Sequence, residues 1–96
     1  MSVPVVWLRQ AEATLDAILD RIELESPSGA LTMALAIRQG ADVLLSYRPK
    51  AGRAGRQPRT RELVIPRTPF IVVYQVRRMP VRVEIIRVLH GAQKWP

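Results

Sequence analysis

Residues 70–76, Phe-Ile-Val-Val-Tyr-Gln-Val, are the stretch that decides the fold. The even positions carry Phe, Val, Tyr and Val, and the odd positions carry Ile, Val and Gln. Because successive side chains of a strand point to opposite faces, a strand here is largely apolar on both faces. Such a strand belongs in the middle of a sheet. We therefore expect helices on one side of it, Tyr74 in the core, and an apolar second side left for a partner.

Two further strands are predicted around this one, at Glu62–Ile65 and Val81–Leu89. The connections at 66–69 and 77–80 are short, which favours antiparallel neighbours. Near the start of the chain, Val3–Leu8 is a fourth run rich in strand-forming residues. Its early proline indicates a strand at or near the edge of the sheet.

Two helices are predicted between the first strand and the others. The first runs from Ala11 to Glu25, where apolar residues recur at helical spacing, namely Leu15, Ile18, Leu19 and Ile22. Ser26 followed by Pro27 is a helix start signal, and the second helix extends to Tyr47. The sequence thus predicts a single α+β domain over residues 1–96 in the order β-α-α-β-β-β. A two-helix antiparallel hairpin packs on a small, mainly antiparallel sheet.

Composition excludes several kinds of site. The chain has 96 residues, no cysteine and one histidine. A disulfide framework, a thiolate metal site and a histidine-based zinc site are therefore excluded, and we expect no metal and no cofactor. No apolar run reaches the roughly 18 residues that cross a bilayer. The N-terminus lacks the features of a signal peptide. We expect no membrane association and a cytoplasmic protein.

Charge is distributed unevenly along the chain. Residues 1–47 carry three basic and six acidic side chains, a net charge of −3, whereas residues 48–96 carry twelve basic and two acidic ones, a net charge of +10. Part of the excess lies in residues 48–61, a loop rich in arginine, glycine and proline. Such a field attracts a polyanion or an acidic protein surface. We expect the basic half to face a functional partner.

Several short motifs occur together and in order. They are Trp7 before a helix, Gly52-Arg53-x-Gly-Arg56, Thr60-Arg61-Glu62-Leu63-Val64, Thr68-Pro69-Phe70 through Val76, and Ile86-Arg87-Val88-Leu89-His90-Gly91-Ala92. With these motifs the chain resembles the ParE/RelE superfamily, the toxins of bacterial type II toxin–antitoxin modules, from about Val5 to Pro96. The resemblance implies a two-helix hairpin on a small antiparallel sheet, which agrees with the periodicity.

The superfamily contains two activities on one scaffold, so the fold alone does not decide between them. RelE-like members cleave mRNA in the ribosome with the help of cationic side chains. The corresponding positions here are Glu62, Val64 and Ile71, none of which is cationic. The resemblance to the ParE-like branch therefore implies a toxin that inhibits DNA gyrase by binding, without catalytic residues of its own.

Two alternatives stay open. His90 ends the last predicted strand, where some ribosome-dependent nucleases of the superfamily carry a catalytic histidine, and an imidazole can exchange a proton near neutral pH. The chain would then be an mRNA endonuclease. In the second alternative the chain has lost toxicity and acts with its antitoxin in autorepression.

The partners implied by the resemblance are DNA gyrase and a cognate antitoxin, in a toxin–antitoxin hetero-oligomer. The antitoxin would be a DNA-binding protein, of the ribbon-helix-helix type, whose C-terminal tail is disordered until it binds. Target contacts are predicted at Arg53, Arg56, Arg59, Arg61, His90 and Lys94. Antitoxin contacts are predicted at Leu15, Leu19, Ile71, Val73, Arg82 and Arg87. Arg61 could equally fix the loop through an ion pair, and Trp95 is expected to anchor the tail.

Overall fold

The architecture is given by a computed structural model that describes residues 2–92. Within this range two helices and five strands follow one another in an α+β arrangement, as predicted. In chain order they are β1 (Val5–Trp7), α1 (Arg9–Glu23), α2 (Pro27–Tyr47), β2 (Arg53–Ala54), β3 (Arg61–Val64), β4 (Phe70–Arg77) and β5 (Arg82–His90). None of the helices in the described part combines the length and the apolar character that a membrane span needs.

The strands form one mixed sheet in the order β1-β5-β4-β3-β2. β1 runs parallel to β5, and every other neighbouring pair is antiparallel. The doubly apolar strand β4 therefore lies in the middle, and β1 forms an edge, as the sequence predicts. The strand β2 is an addition to the prediction, because it lies in the basic segment that was expected to be an irregular loop. Its Arg53 pairs with Glu62 of β3.

β5 contains a bulge that the sequence pattern did not predict. Val73 of β4 stands opposite Arg87, whereas the next residue, Tyr74, stands opposite Ile85, so Ile86 is the extra residue. The bulge changes which face the side chains occupy, and it allows Val88 to join the core as Ile85 does. Thr14 of α1 accepts a hydrogen bond of 2.9 Å from the Val88 amide and thereby ties the helix to this part of the strand.

The helix α2 starts at the predicted N-cap, because the Ser26 hydroxyl accepts a hydrogen bond of 3.0 Å from the Gly29 amide. The other helix, α1, begins at Arg9, two residues before the predicted start. The helices are antiparallel, since Glu12 near the start of α1 forms an ion pair with Arg38, which lies beyond the middle of α2. This ion pair joins the two helices at a point far from the turn that connects them.

The core lies between the hairpin and one face of the sheet. Its helical side is made by the inner residues Ala11, Leu15, Ile37, Ala41 and Leu45. Its sheet side is made by Leu63, Ile65, Phe70, Val72, Tyr74, Val83, Ile85 and Val88. At the margin of this core, the Trp7 indole donates a hydrogen bond of 2.7 Å to Asp42, and the Arg38 guanidinium lies 4.6 Å from the centre of the Trp7 ring. Edge strand and hairpin are thus joined by polar contacts as well.

Candidate functional site

Glu62 of β3 directly follows the basic segment, residues 48–61, and forms ion pairs with two of its arginines. Its side chain is almost fully buried, with the residue 2% exposed. One carboxylate oxygen accepts a hydrogen bond of 3.3 Å from the Arg53 guanidinium. The other accepts a 2.9 Å hydrogen bond from the Arg56 backbone amide and lies 3.5 Å from Arg56 Nε. Because a buried carboxylate requires such partners, these two predicted target contacts hold the segment on the sheet.

Tyr74 fixes the start of the same segment from inside the core. Its hydroxyl accepts a hydrogen bond of 2.8 Å from the Gly52 amide. Burial raises the pKa of Tyr74, while the Gly52 hydrogen bond and the charge of Arg61 act in the opposite direction without cancelling it. A Cβ atom at Gly52 would stand 2.7 Å from the Tyr74 hydroxyl oxygen, so the contact needs glycine at this position. The prediction that Tyr74 belongs to the core is confirmed.

Arg61 was predicted either to bind a target or to fix the loop. Its Nη1 donates hydrogen bonds to the carbonyl oxygens of Gly52, at 2.8 Å, and of Lys50, at 3.4 Å. The structure therefore supports the fixing role, although the partners are backbone carbonyls rather than an acid.

The positions that correspond to the cations of the ribonuclease branch lie on neighbouring strands. Val64 pairs with Ile71, and Glu62 pairs with Val73. Glu62 and Ile71 are buried, and Val64 is half exposed. A carboxylate already engaged with arginines and two aliphatic side chains offer no charge that could stabilise a scissile phosphate.

His90 lies apart from the basic segment. It pairs with Phe70 at one end of β4, whereas Arg61 pairs with Tyr74, four residues or about 13 Å further along the strand. The exposed imidazole is edge-on to the Phe70 ring at 5.7 Å, and its Nδ1 accepts a hydrogen bond of 3.1 Å from the Ala92 amide. It borders a groove against α1. His90 and the loop arginines therefore do not form one site.

Three of the six predicted antitoxin contacts require a correction of their expected placement. Leu15, Ile71 and Val73 are buried inside the chain, so their side chains offer no surface in this conformation. Leu15 lies on the inner side of α1 and packs in the core. Its helical spacing had indicated an apolar face but not whether the core or a partner covers it. Leu19 is half buried and packs against the same core.

The predicted contacts Arg59, Arg82 and Arg87 are more accessible. Arg82 donates hydrogen bonds to the Glu84 carboxylate, at 3.0 Å, and to the Pro80 carbonyl, at 3.2 Å. Arg87 lies on β5 opposite Val73. Arg59 is exposed at the end of the basic segment. Lys94 and Trp95 lie outside the described residues.

The helix α2 carries a second apolar stripe that was not predicted from the sequence. Four large hydrophobic side chains of this helix are 50–68% exposed, namely Leu31, Leu35, Val43 and Tyr47. Successive members are four or eight residues apart, so each is rotated by about 40° or 80° from the one before and the set winds along the exposed side of the helix, which we call the α2 outer face. Beside it lies a groove lined mainly by apolar groups, among them Met33, Ala36, Gly40, Leu44, Ile65 and Pro66. The spacing is visible in the sequence, but in so apolar a helix it does not distinguish the exposed residues from the buried ones.

The arrangement of a helix hairpin on a five-stranded sheet also occurs in proteins of known class. The family described as "ParE toxin of type II toxin-antitoxin system, parDE" matches residues 5–95. The chain is 39% identical over 90 residues to a protein named toxin Y4kP from Sinorhizobium fredii, covering 94% of this chain and 90% of that protein. It is 37% identical over 89 residues to Toxin RelE2 from Caulobacter vibrioides, covering 93% and 96%.

Two solved structures share the fold. A chain of the chromosomal ParDE system from P. aeruginosa aligns with a TM-score of 0.80 and 30% identity, covering 93% of this chain and 96% of that one. A chain of the toxin–antitoxin complex RelBE2 from Mycobacterium tuberculosis aligns with a TM-score of 0.67 and 21% identity, covering 97% and 95%. The second likeness concerns the fold alone.

These similarities define the class as the toxins of type II toxin–antitoxin systems. Within it, the chain belongs to the ParE toxin family.

Proposed function

We propose that this toxin inhibits DNA gyrase by binding and is neutralised by a cognate antitoxin. The observation that carries the proposal is the state of Glu62, which is buried and engaged with Arg53 and Arg56 where a ribonuclease of the superfamily would place a cation. Val64 and Ile71 at the two other positions supply no charge. A toxin without cations at these positions has little means of stabilising phosphoryl transfer, and binding to a target is the mode of action that remains.

The similarities support the same branch. The family is the ParE toxins, and the aligned chain from P. aeruginosa comes from a ParDE system. The resemblance implies gyrase as the target of this branch. The relative named Toxin RelE2 and the exposed His90 beside its groove keep ribosome-dependent mRNA cleavage as the second candidate.

The antitoxin has a suitable surface on the α2 outer face. Exposed leucines at 31 and 35, with Val43 and Tyr47, form an apolar ridge that winds along the exposed side of the helix, and Val43 borders the apolar groove described above. Isolated apolar side chains are common on protein surfaces, but a ridge of four with an adjoining groove is typical of a docking site. An amphipathic segment with anchors at helical spacing would cover it. Since ligands that bind only the folded state stabilise it, the complex should melt at a higher temperature than the free toxin.

The gyrase proposal is tested with purified gyrase, the purified chain and its antitoxin. We expect the chain to abolish supercoiling or to trap DNA cleavage complexes, and the antitoxin to reverse the effect. His90→Ala should inhibit gyrase as the original chain does. If gyrase is untouched while ribosome-bound mRNA is cleaved, and His90→Ala abolishes the cleavage, the second candidate replaces the first. If expression causes no growth arrest and neither target is affected, the autorepression alternative gains support.

The antitoxin surface is tested by Leu35→Asp. A charge at the centre of the apolar ridge should weaken antitoxin binding about tenfold or more, because a carboxylate would have to be desolvated there. Leu24→Asp is the matched control, since Leu24 is exposed in the turn between the helices and outside the ridge. Calorimetry of both variants with the antitoxin measures the difference. Equal binding by Leu35→Asp and the original chain would contradict the assignment.

A further inference from the structure

A cleft lined by apolar and cationic residues lies beside the C-terminal end of α2. The cleft is lined by four apolar residues, which we call its floor, and by three cationic ones, which we call its rim: Pro49, Ala51, Val76 and Val81, and Arg48, Lys50 and Arg78. The volume is about 450 Å³. We call it the Val76 cleft. The predicted target contacts did not include any residue of it.

Two smaller hollows adjoin the cleft, and Val76 borders both of them. They add Arg59, Arg61 and Arg77 to the surroundings. Within the part of the chain that the structure describes, six cations thus surround Val76, and no acidic residue lines the cleft or either hollow. This surface accounts for a large part of the positive charge of the second half of the chain.

The cations of this surface differ in how firmly they are held. Arg61 donates to backbone carbonyls, and Arg77 Nε lies 3.9 Å from the Glu84 carboxylate. For Arg48, Lys50, Arg59 and Arg78, no ion pair with another residue of the described range 2–92 is present. Like charges that lack internal partners repel one another, and an external anion relieves that repulsion.

The floor decides between the two kinds of anionic partner. A nucleic-acid backbone would use the rim cations but would gain nothing from a floor of proline, alanine and valine. Single-stranded bases would need an aromatic side chain for stacking, and among residues 2–92 none lines the cleft or the two hollows. An acidic polypeptide segment uses both parts, because an apolar side chain fills the floor while carboxylates on either side of it face the rim.

We propose that the Val76 cleft is the surface by which the toxin engages its target, and that it docks an acidic segment of that protein with one apolar side chain seated on Val76. The identity of the target as gyrase rests on the proposed function. The cleft is distinct from the α2 outer face, so target and antitoxin would contact different side chains. It also lies outside the positions that correspond to the ribonuclease cations.

A covalent experiment tests the carboxylate contact directly. Lys50 and Lys94 are the two lysines of the chain. Carbodiimide joins a lysine amine only to a carboxylate in contact with it. With the Lys94→Arg variant bound to gyrase, we expect an amide link between Lys50 and an aspartate or glutamate of gyrase, identified by mass spectrometry. In the matched variant Lys50→Arg, which keeps the charge but lacks the amine, this link should be absent.

Two substitutions test the two parts of the cleft. Arg78→Glu reverses a rim charge, and Val81→Asp places a carboxylate on the floor. Each should raise the toxin concentration for half-inhibition of gyrase, and reduce growth arrest, by about tenfold or more. The controls Arg9→Glu and Val6→Asp change exposed residues of the same types that line neither the cleft nor the two hollows, and they should have little effect. Antitoxin binding should be unchanged in all four variants.

The outcomes separate the two proposals. If the original chain does not inhibit gyrase but Arg78→Glu and Val81→Asp abolish growth arrest while the controls do not, gyrase is the wrong target and the cleft stands. If both variants stay fully toxic, the cleft proposal is overturned whatever the target is. If Arg78→Glu loses toxicity and Val81→Asp keeps it, no side chain of the target is seated on the floor, and the proposed apolar contact on Val76 is overturned.

Discussion

Arg53 and Lys50 come from the same basic segment, residues 48–61, but the structure places them in different electrostatic surroundings. Arg53 lies on β2 and donates to the buried carboxylate of Glu62. Lys50 lies on the rim of the Val76 cleft, where arginines are its charged neighbours. One group is engaged by the fold, and the other is available to a partner.

The difference shows that the number of cations in a segment does not reveal how many of them can bind a target. In this segment one acid makes the difference, because the buried carboxylate of Glu62 forms ion pairs with Arg53 and Arg56. The cations of the segment that do not contact Glu62 receive no counter-charge from it and can interact with solvent or with an acidic partner. The following substitutions test this division, beginning with the one of largest expected effect.

Glu62→Ala should give the largest loss of stability. It removes the acceptor of the Arg56 amide and the counter-charge of both arginines. We expect a decrease of about 2 kcal/mol in the free energy of unfolding, below the full cost of breaking a buried ion pair because the arginine side chains can reach water. For a chain of this size that corresponds to a decrease of about 8–16 °C in melting temperature. Urea unfolding followed by circular dichroism measures it.

Glu62→Gln is the matched control. The amide oxygen of glutamine can still accept from the Arg56 backbone, while the negative charge is lost. We expect a smaller loss than for alanine. Equal stability of Glu62→Ala and the original chain would show that the carboxylate does not hold the segment, and the division between the two groups of cations would then be wrong.

This division could be predicted only in part from the sequence. Strand periodicity gave the central position of residues 70–76, and the Ser26-Pro27 signal gave the start of α2. The contact between Glu62 and the arginines depends on the two-residue strand β2, which has no periodicity to detect. The bulge at Ile86 was missed for a similar reason, because alternation assumes a regular ladder. On α2, an apolar helix presents two stripes, and spacing alone does not say which is buried.

Tyr74→Phe should have the next largest effect. It leaves the buried Gly52 amide without its acceptor, so we expect a loss of about 1–2 kcal/mol at neutral pH. The lost hydrogen bond joins the basic segment to the core, so the loss should appear in the free toxin without any partner. Calorimetry of the variant measures the change in melting temperature. A variant as stable as the original would mean that the Gly52 hydrogen bond does not anchor the segment.

The pKa of Tyr74 adds a prediction for alkaline pH. Because burial raises the pKa in the folded state, the unfolded chain releases the proton first as the pH rises past about 10. Stability is therefore retained below that pH and falls above it. The Tyr47→Phe variant leaves Tyr74 as the only tyrosine, so its ionisation can be followed by ultraviolet absorbance. An unshifted titration of Tyr74 would contradict the burial of its hydroxyl.

The smallest expected effects belong to Arg53→Ala and Lys50→Ala, and they compare the two kinds of cation directly. The Arg53 side chain is 59% exposed, so its ion pair should contribute no more than about 0.5 kcal/mol at low salt. Lys50 has no ion pair within the described residues, and its removal relieves repulsion on the cleft rim, so Lys50→Ala should be neutral or slightly stabilising. Raising the salt concentration from 0.05 to 0.5 M should shrink the difference, because screening weakens attraction and repulsion alike. A Lys50→Ala variant less stable than Arg53→Ala would mean that Lys50 is engaged within the fold, and that the rim of the cleft is not free for a partner.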